Sequence, residues 1–397
     1  MSSVPVAATP PSPRLESVDL LRGLVMVVMA LDHTRDYFHF GALQGGNPLD
    51  LEHTTTAIFL TRWITHFCAP IFSFLAGTGV FLAMTRGKSK REMSWFLISR
   101  GAWLVLLELT YVKWAWTFAL DPHLYLGAVI WVLGWSMIVL AGLIHLPLWA
   151  VATFGLGLIG LHNAFDGVKP EAFGSWNGIW RVLHVRGLVA ITPTLTLRAG
   201  YPFIPWIGVM AAGYAFGAVY QWDAAVRRKW LVRLGLGCLL LFVFLRATNL
   251  YGNLWPRPPQ PTVLRTVLAT LDATKYPPSL CYLLMTLGPG LLLLAWFERG
   301  TPAGLKPALV FGRVPFFYYM LHIPLIHGLS SAFFHWRYGR ADFVGFLPEA
   351  PPPADAGLSL LQTYLVWATV VLMLYPVCRW FADYKRRHRD VAWLSYF

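Results

Sequence analysis

Ten apolar stretches, most of them about twenty residues or longer, run through this chain and leave little sequence outside them. They lie near 18–38, 57–84, 94–118, 124–144, 148–162, 201–220, 231–250, 278–297, 308–330 and 358–381. Hydrocarbon about 30 Å thick takes about 20 apolar residues of helix to cross, and every backbone polar group inside it must be satisfied by the segment itself. The pattern predicts an all-α, polytopic membrane protein of about 10 (±1) transmembrane helices. The fifth stretch, short and glycine-rich, is the weakest of them.

Composition agrees. Of 397 residues, 56% are hydrophobic and only 13% charged, which excludes an ordinary soluble domain. The net charge of +13 does not point to nucleic acid, because the basic residues fall in short loops between apolar spans. With the N-terminus in the cytoplasm, Arg86-Gly-Lys88-Ser-Lys90-Arg91, Arg227-Arg228-Lys229 and Lys385-Arg386-Arg387-His388-Arg389 all fall on that side. Both termini are then cytoplasmic. Residues 1–13 lack the basic n-region of a signal peptide and read as a disordered tail before one domain, 14–397. Longer loops at 161–200, 251–277 and 331–357, rich in Pro, Trp, Gly and Asn, face the other side and suit short interfacial helices. Cys68, Cys238, Cys281 and Cys378 are scattered through apolar spans, a spacing that suggests packing rather than disulfides.

Ionisable residues inside such spans are costly and mark function by default. Arg22 and His33 lie in the first stretch, eleven residues apart. At about 100° per residue they share one helix face, about 16 Å apart along it. His33 sits in Asp32-His33-Thr34-Arg35-Asp36, where Asp32 or Asp36 can orient the imidazole as a general base. The plainer reading is a salt-bridged helix end that anchors the span. Arg22 either snorkels to the interface or holds phosphate oxygens of a ligand from the cytoplasm.

Other polar residues in or beside spans form a second tier: Arg62 and His66 one turn apart, Glu108, Arg246, Asn249, Lys275 and Tyr276. Each either contacts substrate or supports the residues that do. Glu108, in mid-span, should pair with a cation such as Arg62, His66 or Lys113. His33, Asp36, His39, His53 and His66 have no compact ligand spacing, so no metal is expected.

The Ser17-Val-Asp-Leu-Leu-Arg22-Gly23 opening and the Ala76-Gly77 patch resemble the heparan-α-glucosaminide N-acetyltransferase family, within the transmembrane acyltransferase superfamily. The spacing of Arg22 and His33 resembles the arginine–histidine motif of acyltransferase family three. Asp32–Asp36, Tyr201–Gly208, Lys275–Pro278 and Phe311–Pro315 are similar to segments of bacterial members, and the resemblance covers about 14–330. It implies an acyl group, usually acetyl, passed from cytoplasmic acyl-CoA to a glycan or amino-sugar acceptor beyond a bacterial inner membrane. Relatives imply a homodimer among the membrane lipids. The loop histidine of the N-acetyltransferase family falls on Gln44 here, with His53 the nearest loop histidine.

Joined to the residue reading, this expects acyl-CoA along the first helix past Arg22, its thioester near His33, and no metal. Direct transfer needs only proximity and a base, and an acyl-histidine is the alternative. Buried charges in ten spans also suit a transporter or flippase for a glycan or lipid-linked substrate.

Overall fold

The structure, a computed structural model, describes residues 15–388 and 390–396, so the tail expected over 1–13 lies outside the described residues. It is mostly helical. The principal helices are α1 (Glu16–Phe38), α2 (Thr56–Met84), α3 (Lys90–Thr117), α4 (Val129–Leu143), α5 (Leu148–Phe165) and the short α6 (Asn177–Leu183). They continue with α7 (Phe203–Gln221), α8 (Ala224–Thr248), α9 (Val263–Leu271), α10 (Leu280–Phe297), α11 (Ala308–Arg313), α12 (Pro315–Tyr338) and α13 (Leu360–Arg387).

Seven of these, α2, α3, α5, α7, α8, α10 and α13, are long and apolar enough to cross a membrane. The chain is a polytopic membrane protein. α4 is apolar but only 15 residues long. α1 and α12, of 23 and 24 residues, carry the buried charges and histidines that lower their hydropathy. The all-α expectation needs one correction. A three-stranded sheet in the order β1-β3-β2 forms from β1 (Leu124–Gly127), between α3 and α4, and from β2 (Gly187–Thr192) and β3 (Leu195–Ala199), between α6 and α7. β1 pairs parallel with β3, and β2 antiparallel. Val189, Ile191, Leu195 and Leu197 alternate with other residues there, a period-two pattern inside a segment read only for its turn residues.

Contacts sort the connections to two ends of the bundle. At the sheet end, Phe40 N–H donates to the Leu358 carbonyl and Phe346 N–H to the Trp116 carbonyl, while Leu280 N–H donates to Asn163 Oδ1. At the other end, Arg227 pairs with Glu298 at 2.6 Å, Thr301 donates to Glu16, and Ser99 meets Tyr396. The described chain thus begins and ends at one end, the end that also carries Arg86–Arg91 and Arg227–Lys229.

Small residues set the crossings. A Cβ on Gly23 would collide with the Ala308 carbonyl, and one on Gly312 with the Asp19 carbonyl, so α1 and α11 touch backbone to backbone. Gly77 and Gly213 do the same for α2 and α7. Prolines set the bends. Pro70 has no N–H for the His66 carbonyl four residues back, and α2 tightens to a 3-10 turn over Thr65–Phe67. The freed carbonyl accepts from Tyr282 of α10 at 2.7 Å. Pro324 of α12 likewise frees the Met320 carbonyl, which accepts from Tyr111 of α3 at 2.7 Å. Each kink is closed by a phenol from a neighbouring helix.

Candidate active site

α1 lies against α2, α10, α11, α12 and α13, so its polar residues face protein on most sides. Where these helices part, toward the sheet end, they enclose a cavity of about 860 Å³. It follows α1 from Val25 to Tyr37, about 18 Å at 1.5 Å per residue. One part of its wall is apolar, with Val25, Met26, Met29, Phe72 and Phe316. The sheet-end part carries Arg186, Arg198 and Lys275 among Tyr201, Tyr276 and Phe346. His33 comes between the two in the order of α1.

His33 lines the cavity with an imidazole only 15% exposed. Its Nδ1 is shut inside the protein without a hydrogen-bond partner, 3.9 Å from Asp36 Oδ2, so the cavity meets the ring through Nε2. Trp116 packs edge-on against it at 4.7 Å, and the His322 ring lies 5.3 Å away. His322 Nδ1–H donates to the Tyr319 carbonyl at 2.7 Å, which fixes its tautomer and leaves Nε2 as a buried acceptor.

The carboxylates divide their duties. Asp32 accepts from Arg35 Nη2 at 3.2 Å and from Arg62 Nη1, so both its oxygens are taken by guanidinium groups. Asp36 accepts from Arg35 at 2.6 Å through Oδ1 and turns Oδ2 toward His33. Asp36 is therefore the carboxylate nearer the imidazole, though too far for a hydrogen bond, and Asp32 fixes the two arginines. The ion pairs leave Arg186, Arg198 and Lys275 without a carboxylate partner among the described residues. Arg198 lies over Phe346 at 4.8 Å and Arg186 over Tyr276 at 5.3 Å. Burial raises the Tyr276 phenol, and Lys275 and Arg62 more than offset it, so its pKa falls below the ordinary tyrosine value.

Several expected site residues stand elsewhere. Arg22 is not part of the cavity wall, which ends one turn away at Val25 and Met26. It donates to Asp19 and to the Gly312 carbonyl, both at 3.3 Å. The reason is the tight α1–α11 crossing at Gly23, which closes that end of the slot. Glu108 has no cation partner of the kind expected. Its Oε2 accepts from the N–H groups of Ile130 and Trp131 at 2.9 and 3.0 Å. Ala128, at the N-cap of α4, has no side chain to cap with, and a π-turn over Glu108–Val112 brings this carboxyl in from α3 instead.

His66 is buried outside the cavity, both ring nitrogens unbonded. Arg246 donates to the carbonyls of Ala269, Thr270 and Asp272, and Asn249 closes α8 in the left-handed region, so both hold the 249–272 loop. Arg62, Arg35, Lys275 and Tyr276 do line the cavity. The sequence reading missed Trp116 of α3, which packs on His33, and Arg186, Arg198 and Tyr201, which the sheet brings to the cavity.

Among the described residues, two groups of His nitrogen and carboxylate oxygen atoms lie close enough to hold an ion: Asp32, His33 and Asp36, and His162, Asp166 and His184. In the first, guanidinium groups already hold both oxygens of Asp32 and one of Asp36, which disfavours a metal.

The acyltransferase-3 family model, described as an acyltransferase domain, matches residues 15–382. No curated protein matches the chain.

Proposed function

The chain belongs to this acyltransferase family, and on that premise we propose that it moves an acyl group, acetyl in the simplest case, from acyl-CoA to a hydroxyl or amine of a glycan-type acceptor. The carrying observation is His33, whose Nε2 opens into a cavity between an apolar slot along α1 and a polar, aromatic mouth.

The acyl arm of the donor lies in the apolar slot along α1, and its CoA phosphates reach Arg22 only when the α1–α11 crossing, which shuts that end of the slot, opens. The acceptor enters at the sheet end, stacked on Tyr201, Tyr276 or Phe346 and held by Arg186, Arg198 and Lys275. His33 Nε2 takes the acceptor proton as its oxygen or nitrogen attacks the thioester carbonyl. The tetrahedral intermediate collapses, the C–S bond breaks, and the proton passes to the departing thiolate. Asp36, the nearer carboxylate, stabilises the imidazolium. In a bacterial inner membrane the donor side is the cytoplasm and the acceptor side the periplasm, and the working unit is a homodimer.

Purified protein in lipid nanodiscs, given labelled acetyl-CoA and a panel of neutral and amino-sugar oligosaccharides, tests this. Label should appear on an acceptor, and His33→Ala should stop it. A wild type that neither transfers nor hydrolyses the acyl group, yet carries glycan across proteoliposomes, would sink the enzyme reading.

A further inference from the structure

At the sheet end, away from His33, the last turn of α5 begins at His162, Asp166 follows that helix, and His184 follows α6. His162 and His184 are 2% and 1% exposed, although they lie at helix ends rather than in the middle of the bundle. His162 Nδ1 stands 3.5 Å from His184 Nε2, and His184 Nε2 stands 3.7 Å from Asp166 Oδ1. All three groups lie within 4.8 Å of one another. Ligands bound tetrahedrally at about 2.0–2.1 Å are about 3.3 Å apart, so two of the three edges already approach that figure.

The surroundings are those of a ligand set. Asp166 Oδ2 accepts from Asn163 Nδ2 at 2.8 Å, which aims Oδ1, and Oδ1 is buried without a hydrogen-bond partner. Asn163 is fixed in turn by Leu280 N–H at 2.8 Å. Trp180 stacks on His184 at 5.0 Å and 10°, which fixes that ring. No arginine or lysine among the described residues hydrogen-bonds this carboxylate, in contrast to Asp32 and Asp36. The Asp166 side chain is 14% exposed and gives a route in from solvent.

We propose that His162, Asp166 and His184 bind a divalent transition-metal ion, of the zinc class, with water in the fourth position. Two imidazoles and a carboxylate in tetrahedral array are zinc chemistry, and too few oxygens are present for calcium. His184 Nε2–H donates to the His162 carbonyl at 2.9 Å, and the ion replaces that proton. The site ties the end of α5 to the segment entering β2. Arg186 and Leu188, two and four residues past His184, belong to the cavity wall. The ion therefore holds the acceptor-side wall in place and takes no part in the reaction. This inference rests on the cluster alone and stands whatever passes through the cavity.

Tag-free protein, stripped with chelator and titrated with Co²⁺ in detergent, provides the test. Expected are about one tightly held ion per chain, the intense visible absorption of a tetrahedral site, and a higher unfolding temperature. His184→Gln and Asp166→Asn should abolish the absorption, and His33→Ala should keep it. Wild type that shows no tetrahedral Co²⁺ spectrum overturns the proposal without any variant having to fold. A spectrum that persists in His184→Gln, or disappears in His33→Ala, overturns it as well.

Discussion

Arg62 of α2 donates to Asp32 of α1, and Arg35 donates to the other oxygen of the same carboxylate at 3.2 Å. Their side chains are 14% and 10% exposed, so this pair joins the two helices in a poorly solvated place. Removing one partner of such a pair costs about 3–5 kcal/mol, because the other charge stays behind. Arg62→Ala should lower the unfolding temperature markedly, and Arg62→Gln with Asp32→Asn should recover much of the loss. Thermal unfolding followed by size-exclusion fluorescence measures both. A double variant that loses as much as the two single variants added together would mean that the pair is not coupled.

His33→Ala should reduce acyl transfer by about 10²–10⁴-fold, the range for a positioned general base. Expression and unfolding temperature should stay near wild type, since the ring faces a cavity. Asp36→Asn should lose less, because Asp36 stabilises the imidazolium and is not itself the base. Initial rates with labelled acetyl-CoA decide, and full activity in His33→Ala would remove this residue from the chemistry.

Arg22 separates two roles. As a holder of CoA phosphate, its change to Ala should raise KM for acyl-CoA about tenfold, roughly one charge-assisted hydrogen bond, and leave KM for the acceptor alone. Lower stability with unchanged KM would instead assign it to the Asp19 and Gly312 contacts.

Glu108→Gln should be tolerated, because the amide oxygen can still accept from Ile130 and Trp131. Glu108→Ala leaves two N–H groups at the start of α4 unsatisfied and should cost about 1–3 kcal/mol each. Urea unfolding of the two variants in detergent compares them. Equal loss in both would mean that the negative charge itself is required.

Gly23→Ala should disrupt the α1–α11 crossing and yield little folded protein. Gly79→Ala, where a Cβ meets nothing within 4 Å, is the matched control. Yield of monodisperse protein is the measurement, and equal yields would show that the crossing can spread.

The helical membrane character and the acyltransferase family were legible in hydrophobic runs and in the motif from Ser17 to Asp36. Asp32 follows the rule that a buried carboxylate needs a cation, although its partner Arg62 is one of the cations expected for Glu108. Glu108 defeated the same rule. The positive end of a helix served in place of a cation, and that helix end is invisible until α4 has an address. The sheet was missed because Gly187–Ala199 has few residues and pairs with β1 across more than sixty residues of chain. Arg186 and Arg198 enter the cavity wall by that pairing alone. His162 and His184 look unrelated in sequence, and only the turn back through α6 brings them together.

The phenol of Tyr282 in the gap left by Pro70 gives the bend in α2 an owner outside its own helix. Arg62, Thr65 and Cys68, all within four residues of the His66 carbonyl, line the cavity. The turn of the second helix that carries Arg62 is thus anchored in part by the tenth.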